Sequence, residues 1–82
     1  MSRYFVKTDF FVIGNEKPVF TIRSKEYASK QTASNCYNFT KNKLSLFLKN
    51  PTENGIDIEN HMFSPEFVKD KICCVSIDQT EN

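Results

Sequence analysis

The sequence predicts a small α+β protein in which one long helix packs on a three-stranded, mostly antiparallel sheet. Three observations favour this fold. They are an N-terminal segment rich in aromatic and β-branched residues, a segment of helical length with apolar residues at helical spacing, and a second β-rich segment near the C-terminus. Because the chain has 82 residues, we expect a single domain over residues 1–82 with the element order ββααβ.

The N-terminal part predicts a β-hairpin. Residues 4–13 place apolar side chains at the ends of both faces and polar ones in the middle of only one, which indicates a long strand with a bulge near Thr8 and Asp9. The next four residues have the composition of a turn, and Pro18 precedes a short second strand over residues 19–23.

The middle part predicts the long helix. Ser24 is a suitable cap, and the Asn50-Pro51 pair ends the helix because proline disfavours helical geometry in the residue before it. Residues 25–32 do not continue the apolar stripe, so the first two turns are expected to project past the sheet or to be loosely held. The expected core stripe spans ~120° at 100° per residue and consists of Ala33, Cys36, Tyr37, Thr40, Leu44, Phe47 and Leu48.

The C-terminal part predicts three short elements. Residues 56–59 indicate a short extended piece. A Ser-Pro-Glu sequence is a favourable helix start and predicts a short helix over residues 65–70. Residues 72–77 predict the last strand, and residues 78–82 are expected to form a polar tail.

The charges are divided unevenly along the chain, although the formal net charge is +1. Residues 1–49 carry nine basic and three acidic residues, a net charge of +6, and residues 50–82 carry two basic and seven acidic residues, a net charge of −5. Either this division attracts a charged partner, or the two halves neutralise each other in the fold. No stretch approaches the ~20 apolar residues of a membrane span, so a cytosolic protein without membrane contact is expected.

The three cysteines are expected to be reduced. They cannot all pair within one chain, and Cys73 and Cys74 are neighbours on a predicted strand, where successive side chains point to opposite faces. Cys36 belongs to the helix core stripe, and at least one of the other two is expected to face the core. Buried thiols are therefore favoured over a nucleophile.

The residues that suggest other chemistry are few. Asp57, Glu59 and His61 stand at alternate positions and are types that ligate metals. A single histidine without a paired cysteine motif favours an exposed loop histidine instead. We therefore expect no enzymatic activity, no metal and no cofactor.

The N-terminal hairpin suggests a nucleic-acid-binding surface. Basic and aromatic residues alternate along it, and open sheet faces use this combination to neutralise and stack single strands. Against this interpretation, the chain is not basic overall and its acidic C-terminal part repels phosphate. Nucleic-acid binding is therefore the alternative function, with the candidate residues Arg3, Phe5, Lys7, Phe11 and Arg23.

The back of the long helix suggests a partner-binding surface. Phe39 and Leu46 lie there with Lys43 between them, and large apolar groups on a solvated face need a cover. Either residues 51–63 fold back over them, or they bind another protein or a second copy of the chain. The apolar residues on the outer face of the hairpin likewise favour dimerisation or edge pairing.

No motif in the chain names a function. Small size, missing catalytic groups and a composition rich in Lys and Asn favour a phage or mobile-element accessory protein that inhibits a host machine, such as a defence nuclease complex, by protein contact. The expected partner is a protein, with a homodimer and nucleic acid as open alternatives. The expected location is the cytoplasm of the host cell.

Overall fold

The computed structural model describes residues 2–81 and confirms the α+β fold. Three strands form an antiparallel sheet in the order β2-β1-β5, α1 packs against β1 and β5, and β3 and β4 form a separate two-stranded hairpin. The elements are β1 (Ser2–Val12), β2 (Phe20–Arg23), α1 (Lys30–Lys49), β3 (Ile56–Ile58), β4 (His61–Phe63), α2 (Pro65–Lys69) and β5 (Lys71–Glu81).

The central strand β1 is regular along its whole length. All 11 of its residues pair with β5 in an unbroken register, and four of them also pair with β2. The predicted bulge near Thr8 and Asp9 is therefore wrong. Thr8 is buried on the side of the sheet that α1 covers, whereas the Asp9 carboxylate lies on the other side and accepts a hydrogen bond from the Thr21 hydroxyl at 2.6 Å. The polar residues thus reflect local partners and not a break in the pairing.

The long helix begins at Lys30, later than predicted, because the Ser24 side chain bonds to β1 and does not cap a helix. Its hydroxyl accepts the Val6 amide at 2.8 Å and donates to the following carbonyl at 2.8 Å, which ties the end of β2 to β1. Ser29 caps α1 instead, and its side chain accepts the Thr32 amide at 3.2 Å. Either serine could cap a helix, since serine is a preferred N-cap residue. The hydrogen bond of Ser24 with the distant Val6 amide prevents it from doing so.

The predicted core stripe of α1 is confirmed in part. Cys36 and Tyr37 are half-buried and Leu48 is 51% exposed, so these three residues form the margins of the stripe. The buried residues of the helix are Ala33, Thr40, Leu44 and Phe47. The stripe is therefore narrower than the sequence pattern predicts.

Aromatic rings join the layers of the core. Phe10 of β1 is fully buried, and its ring centroid lies 4.8 Å from that of Phe63 in β4 and 5.5 Å from that of Phe67 in α2. Ile56 and Ile58 of β3 belong to the same buried cluster. The chain after α1 therefore completes the core and does not lie on its surface.

The hairpin of β3 and β4 is not among the predicted elements. Glu59 and Asn60 form its two-residue turn with φ values of 50° and 64°. Positive φ at both positions is the pattern of a type I′ turn, in which asparagine is common and glutamate is not. Because the first turn residue is atypical, the sequence shows only the extended piece, which ends at Ile58 and not at residue 59.

The C-terminal elements confirm the second helix and correct the last strand. Ser64 caps α2 by accepting the Phe67 amide at 3.1 Å. The predicted strand over residues 72–77 is too short, and the predicted polar tail over residues 78–82 is wrong up to Glu81, because β5 continues to that residue. Residue 82 lies outside the described residues. β1 offers backbone partners along its full length, and backbone pairing does not require apolar side chains.

Candidate partner-binding surface

The three residues predicted to bind a partner lie on one side of α1, and we call them the helix surface: Phe39, Lys43 and Leu46. Phe39 is 64% exposed and Leu46 is 66% exposed. At 100° per residue, these two side chains leave the helix about 20° apart and roughly 120° from the centre of the buried stripe. The helix surface therefore lies on a flank of α1 and presents two large apolar groups to solvent.

Lys43 links this flank to the β3–β4 hairpin. Its ammonium group donates a hydrogen bond to the carbonyl oxygen of Asp57 and lies 5.1 Å from the ring centroid of Phe39. A lysine in this position attracts the face of the ring through a cation–π interaction. The charge of Lys43 is therefore held at the margin of the apolar group.

The alternative in which residues 51–63 cover Phe39 and Leu46 is wrong, since both side chains are exposed. The apolar side chains of that segment are used elsewhere. The residues that enter the core are Ile56, Ile58 and Phe63.

Met62 belongs to the segment predicted to cover Phe39 and Leu46, but its side chain is exposed. Met62 is 65% exposed and lies opposite Asp57 in the hairpin. Asp57 is the residue whose carbonyl oxygen accepts the hydrogen bond from Lys43. The alternation of buried and exposed residues along β3 is the signal for this placement, because it leaves Asp57 and its cross-strand neighbour on the outer face.

The five candidate residues for nucleic-acid binding share the sheet face that α1 does not cover, which we call the outer sheet face. The structure places the guanidinium group of Arg23 3.8 Å from the ring centroid of Phe5, and Phe5 is only 7% exposed. This ring is therefore covered by a side chain of the same face. The five residues are Arg3, Phe5, Lys7, Phe11 and Arg23.

Carboxylates accompany the basic groups of the outer sheet face. The Lys7 ammonium group lies 3.7 Å from an Asp9 carboxylate oxygen and 3.4 Å from one of Asp78, and Arg23 lies 3.9 Å from Glu26. A phosphate group near Lys7 would meet both aspartates. Of these three ion pairs, the one between Lys7 and Asp78 joins the basic and the acidic halves of the sequence, and the other two lie within the basic half.

A tyrosine, a cysteine and a glutamate meet where α1 faces the β3–β4 turn. The Cys36 thiol donates a hydrogen bond to Oε1 of Glu59 at 3.6 Å. A hydrogen bond with Cys36, together with burial and the charges of Cys36 and Glu59, raises the pKa of Tyr27 to about 12. The phenol of Tyr27 therefore stays protonated well above neutral pH.

The cysteines are free, as expected from their number, but they differ in burial. Cys36 and Cys73 are half-buried and Cys74 is exposed. Cys73 packs against the core, which confirms the expectation that at least one of Cys73 and Cys74 faces it. Burial raises the pKa of the Cys73 thiol, and the neighbouring Cys74 raises it further. Because the thiolate is the nucleophile, the raised pKa makes Cys73 less reactive at neutral pH than an ordinary thiol.

The three residues with metal-ligating chemistry do not converge. Asp57 and His61 lie on opposite faces of the β3–β4 hairpin, Glu59 belongs to its turn, and the His61 Nδ1 atom is 2.8 Å from the Glu59 carbonyl oxygen. Within residues 2–81, no group of three or more His, Cys, Asp or Glu residues is placed to hold a metal ion.

A half-open apolar groove lies between the end of α1 and the start of α2. It has a volume of ≈ 330 Å³. The residues that line it are Phe47, Leu48, Pro51, Pro65, Glu66 and Lys69. Its walls are mostly apolar, so the groove suits an apolar side chain.

No protein-family model, curated protein or solved structure matches the chain. Among the described residues, no helix combines the length and the apolar character needed to cross a bilayer.

Proposed function

We propose that this protein acts by binding another protein through the helix surface, without catalysing a reaction. The observation that carries the proposal is the exposure of Phe39 and Leu46 on one flank of α1, two helical turns apart, on a helix whose other apolar residues are largely packed. Aromatic and aliphatic side chains of this size are typical anchors at the centre of protein interfaces. Contiguous exposed apolar groups on a small protein mark interaction sites.

The chemistry of the helix surface describes the partner. An apolar pocket or groove suits Phe39 and Leu46, and an acidic group at its rim suits Lys43. Small size and a composition rich in Lys and Asn support the narrower proposal, a phage or mobile-element protein that inhibits a host machine in the host cytoplasm.

The test compares a double variant, Phe39→Ser with Leu46→Ser, with the wild type. Because both side chains are exposed, the variant is expected to keep its melting temperature within a few degrees and to lose at least tenfold in affinity for the partner, which corresponds to ~1.4 kcal/mol. The measurement is quantitative affinity capture from a nuclease-treated lysate of the organism of origin, followed by titration of the captured protein.

The matched control is the pair Ile13→Ser and Val19→Ser, which removes two other exposed apolar side chains near the tip of the N-terminal hairpin. It is expected to bind as the wild type does. A double helix-surface variant that folds normally and retains the same partner with the same affinity would contradict the proposal.

Nucleic-acid binding by the outer sheet face is the second candidate, because its five residues share the sheet face that α1 does not cover. Charge reversal at Arg3, Lys7 and Arg23 is then expected to weaken binding and to reduce the salt dependence by about one unit of slope for each phosphate that the variant no longer neutralises. An unchanged slope would eliminate this candidate. The two surfaces share no residue, so the two experiments give independent answers.

A further inference from the structure

The two edges of the sheet differ in how well they are protected. β2 has only four residues and follows shortly after Pro18. β5 has 11 residues, contains neither proline nor glycine, and pairs with β1 without a bulge. Its segment 72–77 carries no charged residue. Short length, proline, charge and bulges are the features by which sheet edges avoid pairing with other chains, and β5 lacks them along this segment.

The backbone groups on the free side of β5 follow from the pairing of β1. The carbonyl groups of Val6 and Phe10 accept hydrogen bonds from the β2 side, so even-numbered residues of β1 bond towards β2 and odd-numbered ones towards β5. Odd residues of β1 lie opposite even residues of β5. The N–H and C=O groups of Cys73, Val75 and Ile77 therefore point away from the sheet, and within the described chain no hydrogen bond reaches them.

We propose that β5 pairs antiparallel with β5 of a second copy of this chain, about a two-fold axis at Ser76. This register overlaps all 11 residues of the strand and gives a six-stranded antiparallel sheet. It places Val75 opposite Ile77 of the second copy, a favourable β-branched pair. Asp78 lies opposite Cys74 of the second copy, so no two like charges face each other.

The position of α1 supports a second copy as the occupant. α1 packs against both β1 and β5, and neighbouring strands are ~4.8 Å apart. A helix above the midline of these two strands lies ~5 Å from the two-fold axis, so the two α1 helices would lie roughly 10 Å apart. Packed helices are separated by about 8–10 Å. The joined sheets would therefore bring the two α1 helices close to packing distance.

The exposed side chain of Leu48 is explained by the same arrangement. At 100° per residue, Leu48 leaves α1 about 140° from Lys43, which points to the β3–β4 hairpin. Leu48 instead borders α2, which leads directly into β5. The helix of a second copy would cover this flank. None of the helix-surface residues takes part, so this dimer and the proposed partner binding can fail independently.

The first test measures mass by sedimentation over a concentration series. The wild type is expected to reach twice the monomer mass of 9.5 kDa. Gln79→Pro is expected to weaken the dimer at least tenfold, because Gln79 is exposed and its N–H group points outward, where proline removes no bond of the monomer. Gln79→Thr retains the N–H group and is expected to dimerise like the wild type. A wild type that stays monomeric, or a proline variant that dimerises equally well, would overturn the proposal.

The second test asks whether the two-fold axis passes through position 76. Even residues of β5 form the close, non-hydrogen-bonded pairs of the new ladder, with Cα atoms ~4.5 Å apart, which is within disulfide range. Ser76→Cys in a Cys74→Ser background is therefore expected to form a disulfide between two chains at position 76 under mild oxidation. Thr21→Cys in the same background, on the outer face of β2, is the control and is expected to stay reduced. Equal cross-linking of the two variants, or none at position 76, would refute the β5 pairing.

Discussion

The guanidinium group of Arg23 covers the ring of Phe5 at 3.8 Å on the sheet face opposite α1. Phe5 is only 7% exposed although it lies on the sheet face that α1 does not cover, and Arg23 is one of the side chains over its ring. The basic residue and the aromatic residue that together suggest a nucleic-acid surface in the sequence thus contact each other. The contact between Arg23 and Phe5 is a cation–π interaction within the chain.

Arg23→Ala is expected to lower the free energy of unfolding by ~1 kcal/mol, because it removes a cation–π contact and uncovers an apolar ring. Arg3→Ala is the control on the same face and is expected to change it by less than ~0.5 kcal/mol. Urea unfolding of both variants provides the measurement. Equal effects of the two substitutions would show that Arg23 does not protect Phe5.

The sequence predicts the order of β1, β2, α1, α2 and β5, although not the β3–β4 hairpin between the helices, because the apolar patterns of the longer elements are strong. It fails where a tertiary partner decides the outcome. Ser24 has the chemistry of a helix cap, but its hydroxyl bonds the Val6 amide. The polar end of β5 resembles a tail, but β1 pairs with it residue by residue. Neither outcome is visible in local propensity, because both depend on residues distant in the sequence.

Leu44→Ala is expected to lower the free energy of unfolding by ~2–5 kcal/mol, since it opens a cavity in the packed core beneath α1. Leu46→Ala is the matched control, with the same substitution on the same helix but an exposed side chain. It is expected to cost less than ~1 kcal/mol. Similar losses for the two variants would mean that the core stripe is misplaced.

The candidate site is predictable to the extent that helical geometry determines it. Phe39, Lys43 and Leu46 follow from their spacing alone, and the structure places them together on one flank of α1. Whether the following segment covers them does not follow from spacing. That depends on the β3–β4 turn, in which Glu59 has a positive φ. Glutamate is uncommon at such a position, so the sequence does not predict the turn. The exposure of Met62 is a consequence of the same turn.

The three thiols are expected to react with a thiol reagent at different rates. Cys74 is exposed and reacts first, whereas Cys36 and Cys73 are half-buried and react more slowly. Because burial raises the pKa of Cys73, its labelling is expected to accelerate at a higher pH than that of an ordinary thiol. Mass spectrometry of pulse-labelled protein at several pH values measures this order. In denaturant all three thiols are expected to react alike, and a melting temperature that changes with reductant would reveal a disulfide.

The two glycines provide a matched pair for the last prediction. Both have positive φ, +95° at Gly14 and +82° at Gly55, so alanine at either position carries the backbone strain of the left-handed region, ~1–2 kcal/mol. A Cβ atom at Gly14 meets open space, whereas one at Gly55 collides with the backbone carbonyl group of Phe63. That carbonyl belongs to β4, whose side chain at this position is in the core.

Gly55→Ala is therefore expected to lower the free energy of unfolding by ~1–3 kcal/mol more than Gly14→Ala does, because the β4 backbone must shift to admit the methyl group. Urea unfolding monitored by circular dichroism measures both variants under the same conditions. Loss of the folded signal in Gly55→Ala alone is the extreme form of the expected result. Equal destabilisation by the two substitutions would show that strain in φ accounts for the whole effect and that β4 does not approach Gly55 so closely.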